Sequence, residues 1–165
     1  MQLIIVRHAT AARRDAKRWP DDAARPLTAE GVRKARRAAA GLKRIAKPPT
    51  LVLASPLVRA RDTASILTQA ARWPKAMECD ALAPGKSPEA VLEVLRRQRA
   101  DAGCIAVVGH QPGLGRLLAL CLGGLRPEAF ELKKGAFVFL QFEGRPRAGA
   151  GRLTALLPPR PLRKL

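Results

Sequence analysis

The sequence predicts an α/β domain of three layers, with a mostly parallel central sheet and an antiparallel late strand. Short, continuous apolar runs at residues 3–6, 51–54 and 105–108 are bounded by polar residues or glycine, as strands covered on both faces are. Helical patterns separate these runs, and strands alternating with helices fold as parallel strands joined by crossovers. Two later runs, 136–142 and 152–157, flank a glycine-rich turn and read as an antiparallel pair.

The first strand, Leu3-Ile4-Ile5-Val6, runs straight into Arg7-His8. A helix opens at Thr28, whose hydroxyl suits the first free N–H groups, and Glu30 suits the positive end of the helix dipole. Val32, Ala35, Ala39 and Leu42 fall on one face of this helix, while Arg33, Lys34, Arg36, Arg37, Lys43 and Arg44 make the remainder basic. The second strand meets Ser55-Pro56, read as a cap followed by proline at the first helical position, with helix continuing to Ala71. Further helices fit 88–98 and 112–121, the latter ended by Gly123-Gly124, and Gly113 and Gly115 are read as points of close backbone packing at its start. Residues 1–157 are read as one domain, and 158–165 as a basic, proline-rich tail that is extended and loosely held.

At 165 residues, with 47% hydrophobic and 27% charged residues, the chain has the composition of a globular domain able to bury a core. Two Trp, four Phe and no Tyr give little material for stacking single-stranded nucleic acid. No apolar stretch is long enough for a membrane span, and the N-terminal run lacks the basic flank and cleavage site of a secretory leader. Three widely spaced cysteines, Cys79, Cys104 and Cys121, read as buried thiols of a reducing compartment, so a cytoplasmic location is expected. Thirty-one Lys and Arg against thirteen Asp and Glu give a net charge of +18, concentrated in 31–61 and 144–165, which hold no acidic residue. Such a field concentrates polyanions near the surface, so contact with a polyanion through the basic helix is one expectation and plain solvation of an arginine-rich surface is the other.

Function is read at the carboxyl ends of the strands, where parallel sheets bind their ligands. There the first strand delivers Arg7 and His8, the second Ser55 and Arg59, and the third His110, and the chain has no other histidine. Two imidazoles and two guanidiniums in one crevice make an anion pocket with a candidate nucleophile, since arginine forks match phosphate oxygens and imidazole can carry a phosphoryl group. Two histidines without adjacent cysteine or paired carboxylates make a poor metal site, so no metal is expected. Phosphate-loop and dinucleotide fingerprints are absent, and Ser55 lacks the elbow of a serine nucleophile.

Arg7-His8, Arg25-Pro26-Leu27-Thr28-x-x-Gly31, Ser55-Pro56-x-x-Arg59-Ala60-x-x-Thr63 and Gly109-His110-x-Pro112 together resemble the histidine phosphatase superfamily, and the Arg-Pro-Leu-Thr block and short length resemble its small SixA-type branch. The resemblance spans residues 3–157. It implies a phosphoglycerate-mutase-like fold, no cofactor, and a phosphatase working through a phosphohistidine enzyme intermediate. His8 would then be the nucleophile, with Arg7, Arg59 and His110 holding the phosphoryl oxygens. Thr10 could donate a hydroxyl to the substrate or cap a turn, and Arg25 could line the rim or pair with Asp21 or Asp22.

Two departures narrow the expectation. Ala9 stands where the family usually has glycine after Arg-His, and no glutamate occupies the stretch where alcohol-phosphate members keep a proton donor; Asp80 is the sole nearby candidate. A missing acid disables departure of an alkoxide far more than departure of an imidazole, whose pKa is about 6.5. The absence of long insertions implies a shallow, open site. Phosphohistidine on a protein partner is therefore the expected substrate. The alternatives are a broad phosphomonoesterase using Asp80 on small or polymeric phosphates, and a non-catalytic polyanion-binding protein.

Overall fold

A computed structural model describes residues 1–98, 103–124, 126 and 129–165. Six strands form one sheet in the order β3-β2-β4-β1-β5-β6: β1 (Gln2–Arg7), β2 (Leu51–Ala54), β3 (Met77–Glu78), β4 (Cys104–Gly109), β5 (Phe137–Gln141) and β6 (Arg152–Leu157). The first four are mutually parallel, and β5 and β6 are antiparallel additions, so the mixed sheet matches the fold class expected.

Alternate residues of the buried strands feed two cores. Ile4, Val6, Val52 and Val108 face one layer, where α1 (Ala29–Ile45) and α2 (Val58–Ala71) contribute Ala39, Leu42, Ile66 and Leu67. Leu3, Ile5, Leu53 and Val107 face the other, against Leu92 and Leu95 of α3 (Pro88–Arg97) and Leu117 and Leu118 of α4 (Gly113–Leu122). Coverage on both faces explains the unbroken apolar runs of β1 and β4. The exposed edge strand β6 carries a weaker apolar signal.

Thr28 caps α1 as expected, its hydroxyl accepting from the Gly31 N–H at 2.9 Å, and Ser87 caps α3 in the same way. Three local expectations are corrected. Ser55 does not cap α2: the helix begins at Val58 with Leu57 as its cap residue, because Ser55 is still held to β4 by its N–H to the Val108 carbonyl at 2.9 Å. Gly113 is not closely packed, since nothing lies within 4 Å of where its Cβ would be. The C-terminal segment is not extended. Pro159–Leu162 forms a short helix, α5, whose Leu162 is buried against α1. Gly41 makes that approach possible, because a Cβ there would meet the Leu162 carbonyl oxygen at 1.9 Å. The cysteines are free, with Cys79 and Cys121 buried and Cys104 half-buried. Among the described residues no helix is long and apolar enough to cross a membrane.

Candidate active site

Sheet register brings the predicted groups together. Arg7 on β1 stands opposite Gly109 on β4, and Ala54 on β2 opposite Val108. The ladder runs one residue further, with the His8 N–H donating to the Gly109 carbonyl at 3.0 Å alongside the bond from Ser55 already described. His8, Ser55 and His110 therefore leave three adjacent strands at one edge. The two imidazole rings lie 5.0 Å apart between centroids. His8 and His110 are each only 6% exposed and Arg59 4%, so these side chains are largely withdrawn from solvent. Two segments draw over them. Gly135 donates to the carbonyls of Arg7 and His8, and Arg7 Nη1 donates to the Leu132 carbonyl, while Asp22 reaches Arg59 from the β1–α1 connection.

The protonation state of His8 follows from its neighbours. Nδ1 lies 2.7 Å from the Ala9 carbonyl, which can only accept, so Nδ1 carries the proton and Nε2 keeps its lone pair. Burial pushes the ring's pKa down to about 4, against the pull of the Ala9 carbonyl, and the charges of Arg59, Arg7 and Arg25 push the same way as burial. The ring is neutral at physiological pH.

His110 has the complementary arrangement. Its Nε2 lies 2.8 Å from Oγ of fully buried Ser55. That oxygen also accepts a long bond from the Leu57 N–H at 3.4 Å, and among the described residues the hydroxyl has no other acceptor than Nε2, to which it donates. Hydrogen-bond logic thus assigns the proton of the neutral ring to Nδ1, which is buried and without a partner. Burial, followed by His8 and Arg59, lowers this pKa to about 3. The Nε atoms of Arg7 and Arg59 are likewise buried and unpaired. Unpaired polar atoms of this kind are expensive to leave buried in a folded protein.

Two supporting residues complete the assembly: Asp22, expected only as a possible partner of Arg25 and here found pairing with it, and Thr63, named in the sequence pattern without a role. Asp22 accepts from Arg59 Nη2 at 3.0 Å through its carboxylate and from Nη1 at 2.7 Å through its carbonyl, and also accepts from Arg25 Nε at 2.8 Å. These contacts, led by the Arg25 bond, hold its carboxyl below the usual range. Arg25 is accordingly tied into the Arg59 assembly, and its Nη1 donates to the Ala12 carbonyl at 2.7 Å. Buried Thr63 accepts from the Ala9 N–H at 3.0 Å and donates to the Arg59 carbonyl at 2.7 Å, fastening the backbone after His8 to the first turn of α2. Its spacing of four residues after Arg59 was a signal available in the sequence.

The remaining candidates stand apart. Thr10 borders a separate cleft with Lys34 and Lys134, and its carbonyl receives the Thr28 N–H at 3.0 Å. Asp80 is exposed at the head of a 3-10 turn, Asp80–Leu82, and is not among the hydrogen-bond partners of His8 or His110. Among the described residues no group of three His, Cys, Asp or Glu side chains has a metal-binding arrangement.

The sequence pattern of the Histidine phosphatase superfamily (branch 1) matches residues 3–83, the stretch that contains Arg7, His8 and Arg59. The chain belongs to the histidine phosphatase superfamily. His110 lies beyond that match, and it is the fold that brings it to His8. An uncharacterised protein of Picosynechococcus sp. is 35% identical over 156 residues, covering 94% of this chain and 90% of that one. The structure of the protein histidine phosphatase SixA complexed with tungstate has a TM-score of 0.85 and 27% identity, over 98% of this chain and 99% of that chain. A structure assigned to SixA from Agrobacterium tumefaciens shares the fold with a TM-score of 0.77 at 22% identity, over 94% and 96% of the two chains. Within the histidine phosphatase superfamily, the chain falls in the small SixA-type branch.

Proposed function

We propose that this histidine phosphatase removes the phosphoryl group from phosphohistidine on a protein, through a phosphorylated His8. The observation that carries this reading is the Nε2 lone pair of His8, left free by the Nδ1 bond, with the His110 ring 5.0 Å away and the charges of Arg59 and Arg7 acting on the ring, while Arg7 Nε, Arg59 Nε and His110 Nδ1 are buried without partners. Those three side chains would take the phosphoryl oxygens, and fixed donors in a dry site stabilise the charge spread over them in the transition state.

His8 Nε2 attacks phosphorus while the P–N bond to the substrate imidazole breaks. The bond's electron pair leaves with that imidazole, which takes a proton from solvent. Water then attacks phospho-His8, gives its proton to a phosphoryl oxygen and releases phosphate with the neutral ring restored. Neither step asks the protein for a strong acid, which agrees with an exposed Asp80 and with a His110 that is neutral at pH 7. The tungstate complex of the SixA relative supports the reading, since tungstate is a tetrahedral oxyanion like phosphate.

The test is phosphate release in the presence of EDTA from a histidine-phosphorylated protein and, separately, from an alkyl phosphate. Release from the phosphohistidine protein that is lost in His8→Ala is expected. Equal release from both substrates would move the reading to a general phosphomonoesterase, and no release from either would overturn the enzyme reading.

A further inference from the structure

A groove lined in part by His110 is left unused by the phosphoryl chemistry. One wall is residues 81–88, suspended from the sheet edge by the Cys79 N–H to the Ala54 carbonyl at 2.8 Å and the Leu82 N–H to the Cys79 carbonyl at 3.0 Å. The other is the first turn of α4, fixed by Gln111. Its Oε1 accepts from the Gly115 N–H at 2.8 Å, and its Nε2 donates to the Phe130 carbonyl at 2.6 Å. Both walls are therefore preformed, and buried Leu82, Leu114 and Leu117 make the lining partly apolar. The space over Gly113 is open, with no atom within 4 Å of a Cβ placed there. The groove encloses about 40 Å³, room for a small side chain.

Its charge has one sign. Exposed Lys86 and Arg116 line it, no carboxylate does, and among the described residues neither cation has a carboxylate within 4.0 Å. Exposed, unpaired cations on long stems do not build a phosphoryl pocket, which the buried donors already provide. They recognise charge at a rim, where complementarity sets register and association rate. No Phe, Tyr or Trp lines the groove to stack a base, which argues against nucleic acid as its occupant.

We propose that this groove seats an acidic polypeptide segment flanking the phosphorylated residue, with a small side chain over Gly113 and carboxylates near Lys86 and Arg116. This rests on the phosphohistidine reading and adds to it the substrate's surrounding chemistry.

Two synthetic phosphohistidine peptides of equal length test it, one with Asp and Glu on both sides of the phosphorylated histidine and one with Ser and Gln, at low ionic strength. The protein is expected to prefer the acidic peptide about tenfold in kcat/KM, through KM. Lys86→Glu with Arg116→Glu should abolish or invert that preference. Gly113→Leu, which fills open space, should raise KM for both peptides relative to free phosphohistidine. Lys43→Glu with Lys47→Glu, the same charge change at exposed positions near the end of α1, should leave the ratio between peptides in place. An equal loss in that control would assign the preference to bulk charge and overturn the proposal. So would peptides that do not differ, or a ratio that Lys86→Glu with Arg116→Glu fails to move. Wild-type protein inactive on both peptides and on free phosphohistidine would instead overturn the functional reading, and the groove's assignment with it.

Discussion

Ser55 Oγ and His110 Nε2 lie 2.8 Å apart across the ends of neighbouring strands, and this one contact decides which nitrogen of His110 carries the proton of the neutral ring. Removing the hydroxyl leaves Nε2 buried without a partner, so the neutral ring is free to move its proton there. Ser55→Ala is expected to cost about 1–3 kcal/mol of stability, as losing a buried hydrogen bond does. With only two histidines in the chain, the ring nitrogens of each are resolvable by ¹⁵N-detected imidazole spectra. Wild type should show His110 protonated at Nδ1, and Ser55→Ala should mix the tautomers while lowering kcat. Ser55→Thr keeps the hydroxyl and should restore the tautomer. An unchanged tautomer in Ser55→Ala would refute the assignment.

Both imidazoles are held neutral by burial, and this sets a direction in pH. Their folded pKa values, about 4 for His8 and about 3 for His110, lie below the ordinary histidine value. Between these values and about 6.5 the unfolded chain binds more protons than the folded one, so stability rises with pH across that window. The contribution is complete above about pH 6.5 and is lost as pH falls toward 4 and 3. Proton spectra should show both ring resonances titrating well below pH 6.5. The melting temperature should fall more steeply on acidification than in a His8→Gln variant, which retains a single such group. Bound tungstate, by placing negative charge beside the rings, should move both titrations upward.

Asp22 and Arg59 offer a separable test of how the site is held. The carboxylate grips Arg59 and Arg25 together, yet it takes no part in the proposed attack or departure. Asp22→Ala should leave the buried Arg59 guanidinium without its charge partner and held only by the backbone carbonyl at residue 22. The expected result is a KM about tenfold higher for any phosphoryl substrate, with a smaller change in kcat. Asp22→Asn, keeping an oxygen to accept from Arg59, should recover part of the loss. A kcat effect without a KM effect would give Asp22 a role in the chemistry instead.

Strands and their order of use were legible because β1, β2 and β4 are covered on both faces and so are written as unbroken apolar runs. His8, Arg7, Arg59 and His110 were legible for the same reason, each following directly from such a run or from the turn after it. The Arg25–Asp22 pair was legible from their closeness in sequence, but the grip of Asp22 on Arg59 and the bond from the Ala9 N–H to Thr63 were not, because those contacts exist only once the chain folds back. Ser55 was misread as a cap. A serine before proline satisfies the capping pattern locally, and only the pairing of β2 with β4 shows its hydroxyl turned to His110. The two-residue strand β3 carries no periodicity long enough to read.

The C-terminal helix α5 makes the last prediction. Proline at 158, 159 and 161 reads as an extended tail, but Leu162 is 2% exposed and joins the core cluster that contains Ala38, Ala39 and Leu42 of α1. Arg37 and Arg44 add bonds to the carbonyls of Arg163 and Leu165. Leu162→Ala should therefore destabilise the protein by about 2–5 kcal/mol, the range for a buried leucine, where an extended tail would give nothing measurable. Gly41→Ala should act at the same contact from the other side, since its Cβ would strike the Leu162 carbonyl. Being neighbours, the two changes should be non-additive in denaturant unfolding, with the double variant less destabilised than the sum. Full additivity would mean that α5 and Gly41 are not packed on one another.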